Sequence, residues 1–287
     1  MAAVLASWLG LVLWAELSPG GPPPAAKADP AAIRVLTWNI HCGQDAGPPW
    51  QQFDWPARKH ALREAVDSAS PDILCVQEAR HEQVSFLEWA LPGHQRLGVG
   101  RDDGQAGGEH CAIYFNRDRF AELSSGTFWL EEPKNESGNG SARHVKRICT
   151  WARLADRHTG RTVLVFNTHQ YLTEKARWSA AQLIRDQIAG ADSADAIIFT
   201  GDFNAGPAAP SRRLLTDGLL IDSAVLSGKS ATTRTFHHAG IPLWPLDGIL
   251  VGDGWRVNNH QLVNGKYHHK YPSDHFGVLA DLAYRDH

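Results

Sequence analysis

Apolar and β-branched residues recur along the chain in short, dense runs. They are IRVLTWNI (33–40), DILCVQE (72–78), AIYFN (112–116), ICTWARL (148–154), TVLVFNTH (162–169), DAIIFTGDFN (195–204), DGILVG (247–252) and FGVLADL (276–282). Runs of this length and composition predict strands. Their apolar residues occupy both faces, which predicts sheets covered on both sides. Two stretches carry a helical period instead. In ARKHALREAVDSA it puts Ala61, Leu62, Ala65, Val66 and Ala69 on one face, and in EKARWSAAQLIRDQIAG it does the same for Ala176, Ala180, Leu183, Ile184 and Ile188. ICTWARL passes directly through the turn DRHTGR into TVLVFNTH, as a hairpin would. Hairpins mixed with helical crossovers predict large sheets with helices laid over them.

The polar residues that interrupt this pattern fall at strand ends. Asn39 closes TWN, Glu78 closes CVQE, His169 closes FNTH, and Asp202 and Asn204 close TGDFN. Asp247 opens DGIL, and Asp274 and His275 directly precede the last strand. Each has an ordinary explanation when taken alone, such as a turn cap or a solvated charge. As a set they do not, because polar groups at the ends of buried strands are costly unless they converge on something. If TGDFN stays extended, Asp202 and Asn204 face one spot, since side chains two apart point the same way.

The order TWNI, VQE, NTH, GDFN, LDGIL and SDH resembles the endonuclease/exonuclease/phosphatase superfamily, the DNase I-like metal-dependent phosphoesterases. GEHCAIYFNRDRF, SGTFWL and RICTWARL resemble its compact, often secreted branch, and the likeness runs from about residue 33 to 282. The resemblance implies an α/β fold: a four-layer α/β sandwich with two central mixed β-sheets and a site at one sheet edge. It also implies roles. Glu78 is the main metal ligand, with Asn39 and Asp274 close to the same ion. Asp202 orients and deprotonates a water, and Asn204 holds a phosphate oxygen. His169 and His275 donate to the phosphoryl oxygens, and Asp247 pairs with His275. Arg147 matches a phosphate-contacting arginine, while its plain reading is a solvated strand-end charge. Carboxylate and amide oxygens form the hard donor set that suits Mg2+ or Mn2+.

Composition changes this picture little. The 287 residues are 43% hydrophobic and 21% charged, with a net charge of −3, so a polyanionic substrate must be met by a local basic patch. Cys42, Cys75, Cys111 and Cys149 lack CxxC spacing. The last three read as buried thiols, with one disulfide left open. No HExxH or Cys/His quartet stands among the 15 histidines to suggest zinc. Residues 2–14 form a 13-residue apolar run, shorter than the roughly 20 a span needs, and Ala26-Lys27-Ala28 fits a signal-peptidase site. Residues 1–28 therefore read as a signal peptide and 29–287 as the phosphoesterase domain, with an uncleaved anchor or a disordered tail as alternatives. Residues 131–146 read as a polar surface loop with sequons at Asn135 and Asn139. Glu109 and His110 read first as a structural turn, with a secondary site role as the alternative, and residues 267–270 as either a rim of the site or a solvated loop. Trp50, Trp55 and Trp244, in Pro-rich loops, are candidates for substrate contact.

The expectation is a secreted or periplasmic, Mg2+- or Mn2+-dependent phosphodiesterase acting on nucleic acid, with no stable protein partner and no membrane insertion after signal cleavage. The alternatives are hydrolysis of a phospholipid, sphingomyelin or small phosphate ester, and a non-catalytic binding module of the same fold.

Overall fold

In chain order the elements are β1 (Ile33–Asn39), α1 (Trp55–Ala69), β2 (Ile73–Ala79), α2 (His81–Ala90), β3 (His94–Leu97), β4 (His110–Asn116), β5 (Phe120–Leu130), β6 (Arg147–Asp156) and β7 (Thr162–His169). They continue with α3 (Glu174–Gly190), β8 (Ala196–Asp202), α4 (Pro210–Thr216), β9 (Ile221–Asp222), α5 (Ser223–Leu226), β10 (Phe236–His238), β11 (Ile241–Trp244), β12 (Asp247–Val251), β13 (Trp255–Val263) and β14 (Gly277–Tyr284). This computed structural model describes residues 23–43, 54–130, 145–191 and 194–285. Most of the expected signal peptide, Trp50 and both sequons lie outside the described residues.

Two six-stranded sheets run β13-β14-β1-β2-β4-β3 and β5-β6-β7-β8-β12-β9, and β10-β11 form a small hairpin. Both large sheets are mixed: β1 pairs parallel with β2 and β7 with β8, while the other pairings are antiparallel. Ile33, Val35, Val163, Val165, Ile198 and Ile249 meet between the sheets. On the outside of the first sheet, Leu36, Trp38 and Val76 pack on Leu62, Val66 and Leu87 of α1 and α2. On the outside of the second, Phe166 and Phe199 pack on Ala180, Ile184 and Leu215 of α3 and α4. This is the expected four-layer α/β sandwich.

The predicted helical faces are the buried ones, with Ala181 added in α3 and Leu183 only partly covered. The strands with no signal in the pattern are edge strands. β5 is exposed over most of its middle, and β13 alternates irregularly across a bulge, so neither needs a dense apolar run. Trp55 does not contact a substrate site: it is buried against Phe86, ring centroids 5.4 Å apart. Cys75, Cys111 and Cys149 are buried thiols outside any disulfide. Burial pushes both Cys75 and Cys111 up to about 12.

Candidate active site

The inter-sheet face of each central strand is apolar along its length and polar at one end. In β7 the side chains of Val163, Val165, Asn167 and His169 follow one another on that face, and in β8 so do those of Ala196, Ile198, Thr200 and Asp202. The ladders then line the ends up. His169 is in register with Asp202, and Asp202 with Asp247. Gly201 makes the first of these pairings close, because a Cβ there would lie 2.3 Å from the Thr168 carbonyl oxygen. Asn39 ends β1 on the facing sheet, fully buried.

Directly beneath these ends, four fully buried polar side chains bolt the sheets together. Gln77 Nε2 donates to Thr37 Oγ1 at 2.9 Å and to Asn167 Oδ1 at 2.6 Å. Thr200 Oγ1 donates to the same Asn167 oxygen at 3.2 Å. Asn167 Nδ2 donates across the interface to the Val76 and Ala112 carbonyls, both at 3.0 Å. Such a network holds the site edges of the two sheets at a set spacing.

Glu78 would be out of phase in a regular strand, since Cys75 and Gln77 already face the interior. A bulge between Val76 and Ala79 and a φ of 61° at Glu78 turn its side chain back to the site. A non-glycine residue held there costs on the order of 1–3 kcal/mol, a strain that clusters at functional positions.

Three hydrogen bonds fix Asn39. Its Nδ2 donates to Glu78 Oε1 and to Asp202 Oδ2, both at 2.9 Å, and its Oδ1 accepts from the His41 N–H at 3.0 Å. Asn39 thus presents its amide nitrogen, not its oxygen, to the two carboxylates. It fastens Glu78 and stands directly beside it. The other Glu78 oxygen, Oε2, accepts from the Cys42 N–H at 3.1 Å.

Two imidazoles face Asp202 Oδ2. His169 Nε2 is 3.6 Å away and His275 Nε2 3.9 Å. His275 Nδ1 donates to Asp247 Oδ2 at 2.7 Å. The serine of the SDH run anchors this corner: Ser273 Oγ donates to the Asn39 carbonyl at 2.7 Å, and Trp38 Nε1 donates to the His275 carbonyl at 2.8 Å. Asn204 does not lie on the strand. β8 stops at Asp202, and Asn204, at φ 49°, folds back so that its N–H donates to Asp202 Oδ1 at 2.8 Å. Its side chain donates to the Gln170 carbonyl at 2.9 Å. An Asx-type turn, rather than strand alternation, brings this pair together.

The electrostatics divide the groups. Burial raises the Asp202 carboxyl and the Asp247 charge adds to it, bringing it to about 6 against the opposing pull of His275. For His275, burial works toward the neutral form, but Asp247, Asp202 and Asp274 outweigh it and raise the ring to about 10. Burial, with Arg147, His275 and Arg101 nearby, holds His169 well below its ordinary value, so it is neutral. Burial works to raise Glu78, yet the Asn39 bond and the His275 and His41 charges leave it lowered. Asp274 is raised by burial and by the Glu78 charge against His275 and His41.

Arg147 opens β6 largely buried, its Nη1 3.8 Å from Glu109 Oε2. Its Nε and Nη1 make no hydrogen bond. Arg101 grips Glu109 with both Nη atoms, at 2.5 and 2.9 Å. The glycine-bracketed loop thus places a second arginine near His169. Two further residues gave no sign in the sequence. Arg212 in α4 is buried over the Phe203 ring at 3.6 Å and bonds Asp222 at 3.0 Å, lending its charge to Asp247 and Asp202. Phe236 packs edge-on to His275 at 5.0 Å and stacks at 5.3 Å on Trp244, which is 56% exposed. Of the candidate tryptophans among the described residues, Trp244 is the one placed beside the cluster.

Ligand atoms of Glu78, His169 and Asp202 lie within 4.8 Å of one another, as do those of Asp202, Asp247 and His275. A divalent cation fits the Glu78 end on chemical grounds. Glu78 stays ionised there, and the like charges of Glu78 and Asp274 crowd each other in a buried place.

Residues 36–275 match the family model described as the Endonuclease/Exonuclease/phosphatase family. Nocturnin of Xenopus laevis is 26% identical over 311 aligned residues, covering 91% of this chain and 75% of that protein. Among solved structures, an endonuclease/exonuclease/phosphatase from Bacteroides vulgatus aligns with a TM-score of 0.77 at 30% identity, covering 88% of this chain and 99% of that one. A mannosyl-6-phosphatase from Bacteroides thetaiotaomicron aligns with a TM-score of 0.72 at 27% identity, covering 88% and 100%.

Proposed function

The chain belongs to the endonuclease/exonuclease/phosphatase family of divalent-metal-dependent phosphoric ester hydrolases, and we propose that it is an exported phosphodiesterase that cleaves nucleic acid with Mg2+ or Mn2+. One observation carries this reading. Asp202, raised to about 6, stands within 4 Å of one neutral and one charged imidazole and is tied through Asn39 to Glu78. A base of that strength, beside two donors and an ionised ligand, is the equipment for attacking a phosphorus centre with water.

Each group then has a part. Glu78 holds the ion, with Asp274 beside it and Asn39 fixing the carboxylate. When bound, the ion supplies positive charge to the phosphoryl oxygens. Asp202 takes the proton of the attacking water at Oδ2. His275, kept charged by Asp247, and His169, through its one N–H, donate to the oxygens that gain charge. Asn204 orients Asp202 and borders the phosphate. Arg147, with donors that no protein atom satisfies, takes a further phosphate oxygen. The Trp244–Phe236 stack offers a π-face next to His275, as base stacking requires.

The likeness to the mannosyl-6-phosphatase supports a second reading, hydrolysis of a small phosphate monoester. A panel run on one preparation separates them: bis-p-nitrophenyl phosphate, p-nitrophenyl phosphate, single-stranded RNA and DNA, and sphingomyelin. Diester and nucleic-acid turnover above monoester turnover is the expected order, and the reverse order removes the nuclease reading. Export is proposed from residues 2–14 and the Ala26-Lys27-Ala28 pattern. Cleavage after Ala28 would remove Lys27, 2.7 Å from Asp72, and leave Arg119 at 3.2 Å on that carboxylate. N-terminal sequencing of the exported protein should begin at Asp29.

A further inference from the structure

The two oxygens of Glu78 look in two directions. Oε1 faces Asn39 and His169 in the cluster already described, while Oε2 accepts the Cys42 N–H. A ring nitrogen of His41, the Cys42 thiol and a Glu78 oxygen also lie within 4.8 Å of one another. We propose that His41, Cys42 and Glu78 form a second cation site, selective for thiophilic ions of the zinc class, whose filling draws Glu78 away from the catalytic ion and switches hydrolysis off. This rests on the reading of Glu78 as a ligand of that ion.

Donor chemistry separates the sites. Carboxylates at the catalytic end suit Mg2+ or Mn2+, whereas a thiolate, an imidazole and one carboxylate suit Zn2+ or Cd2+. Donors of a tetrahedral zinc sit roughly 3.5 Å apart, so a trio already within 4.8 Å closes by side-chain rotation, leaving the fourth position to water.

The backbone that carries the trio is already fixed. His41 sits at φ 56°, and its carbonyl accepts from Arg58 Nη2 at 2.6 Å and Gln83 Nε2 at 2.8 Å. The Gly43 N–H donates to His41 Nδ1 at 3.1 Å, a bond that ligation through that nitrogen would replace. Among the four cysteines, Cys42 is half-buried and the other three are buried.

The test is a Cd2+ titration of reduced, metal-stripped protein, followed by thiolate-to-cadmium absorption in the ultraviolet. Zinc inhibition of Mg2+-driven hydrolysis is measured in parallel. Wild type should show one Cd2+ per chain and inhibition by Zn2+. Cys42→Ser should lose the absorption band, keep its Mg2+ activity and need at least about tenfold more Zn2+ for inhibition. His41→Asn, chosen because asparagine tolerates the left-handed backbone, should keep the band and bind at least about tenfold more weakly. A wild type without the band, a band that survives Cys42→Ser, or equal zinc inhibition in both proteins would overturn the proposal. Because the band is read without substrate, an inactive preparation with a normal band counts against the catalytic reading alone.

Discussion

His275 stands between two carboxylates, its Nδ1 2.7 Å from Asp247 Oδ2 and its Nε2 3.9 Å from Asp202 Oδ2. Asp247 keeps the ring charged and its Nε2–H aimed at the site, and that charge in turn restrains the rise of Asp202. Replacing Asp247 with Asn should therefore act through His275. We expect the ring, followed by NMR, to titrate well below about 10 in Asp247→Asn. Turnover should fall roughly 10²–10⁴-fold, the usual range for a lost donor or base. A ring still charged at alkaline pH in the variant would contradict the pairing.

With Asp202 as the proposed general base, its carboxyl at about 6 should set the acid side of the pH profile. A general base works only when deprotonated, so kcat/KM should rise as pH increases through about 6 and level off above it. Substituting Asp202 with Asn should remove both the activity and that limb. A profile flat from pH 4 to 8 would assign the base elsewhere.

At Gly201 in the β7–β8 pairing, a Cβ would lie 2.3 Å from the Thr168 carbonyl oxygen. Gly201→Ala must push the strands apart directly below His169 and Asp202. We expect lower thermal stability together with lost turnover, and a variant with wild-type melting and rate would show that the edge tolerates the shift.

Away from the site, His260 is buried with its Nδ1 3.0 Å from Ser223 Oγ. Burial holds the ring at about 4, with Asp222 opposing and Lys229 adding to the shift. The unfolded chain, whose histidine titrates near 6.5, binds more protons as pH falls. The stabilisation is thus full above about 6.5 and is lost as pH drops toward about 4. Between pH 7 and 5 this group should account for about 2 kcal/mol of lost stability. Urea unfolding of wild type and His260→Asn at both pH values should show the smaller pH dependence in the variant.

The polar interruptions at strand ends made most of the site legible, because a buried strand tolerates Asn39, His169 or Asp202 only where they meet partners. The four layers were legible for the same reason: strands apolar on both faces need cover on both. What stayed hidden is how some of these residues reach the site, because that depends on local backbone. Glu78 belongs to the site only because a bulge and a positive φ turn it inward, and Asn204 meets Asp202 through a turn rather than a strand. Arg212 lies in a short helix, and its burial comes from Phe203 and Asp222 in other elements, which no local pattern marks. Edge strands such as β5 escape pattern reading because one face meets water.

The claim on which the rest depends is that Glu78 holds a divalent ion at this strand edge. Mn2+ binding to chelator-stripped protein, read by electron paramagnetic resonance alongside bis-p-nitrophenyl phosphate turnover, tests it most directly. Wild type should bind Mn2+ and recover activity with it, while Glu78→Gln should lose both and remain folded. Full turnover after chelation, or equal Mn2+ binding by Glu78→Gln, would contradict the account.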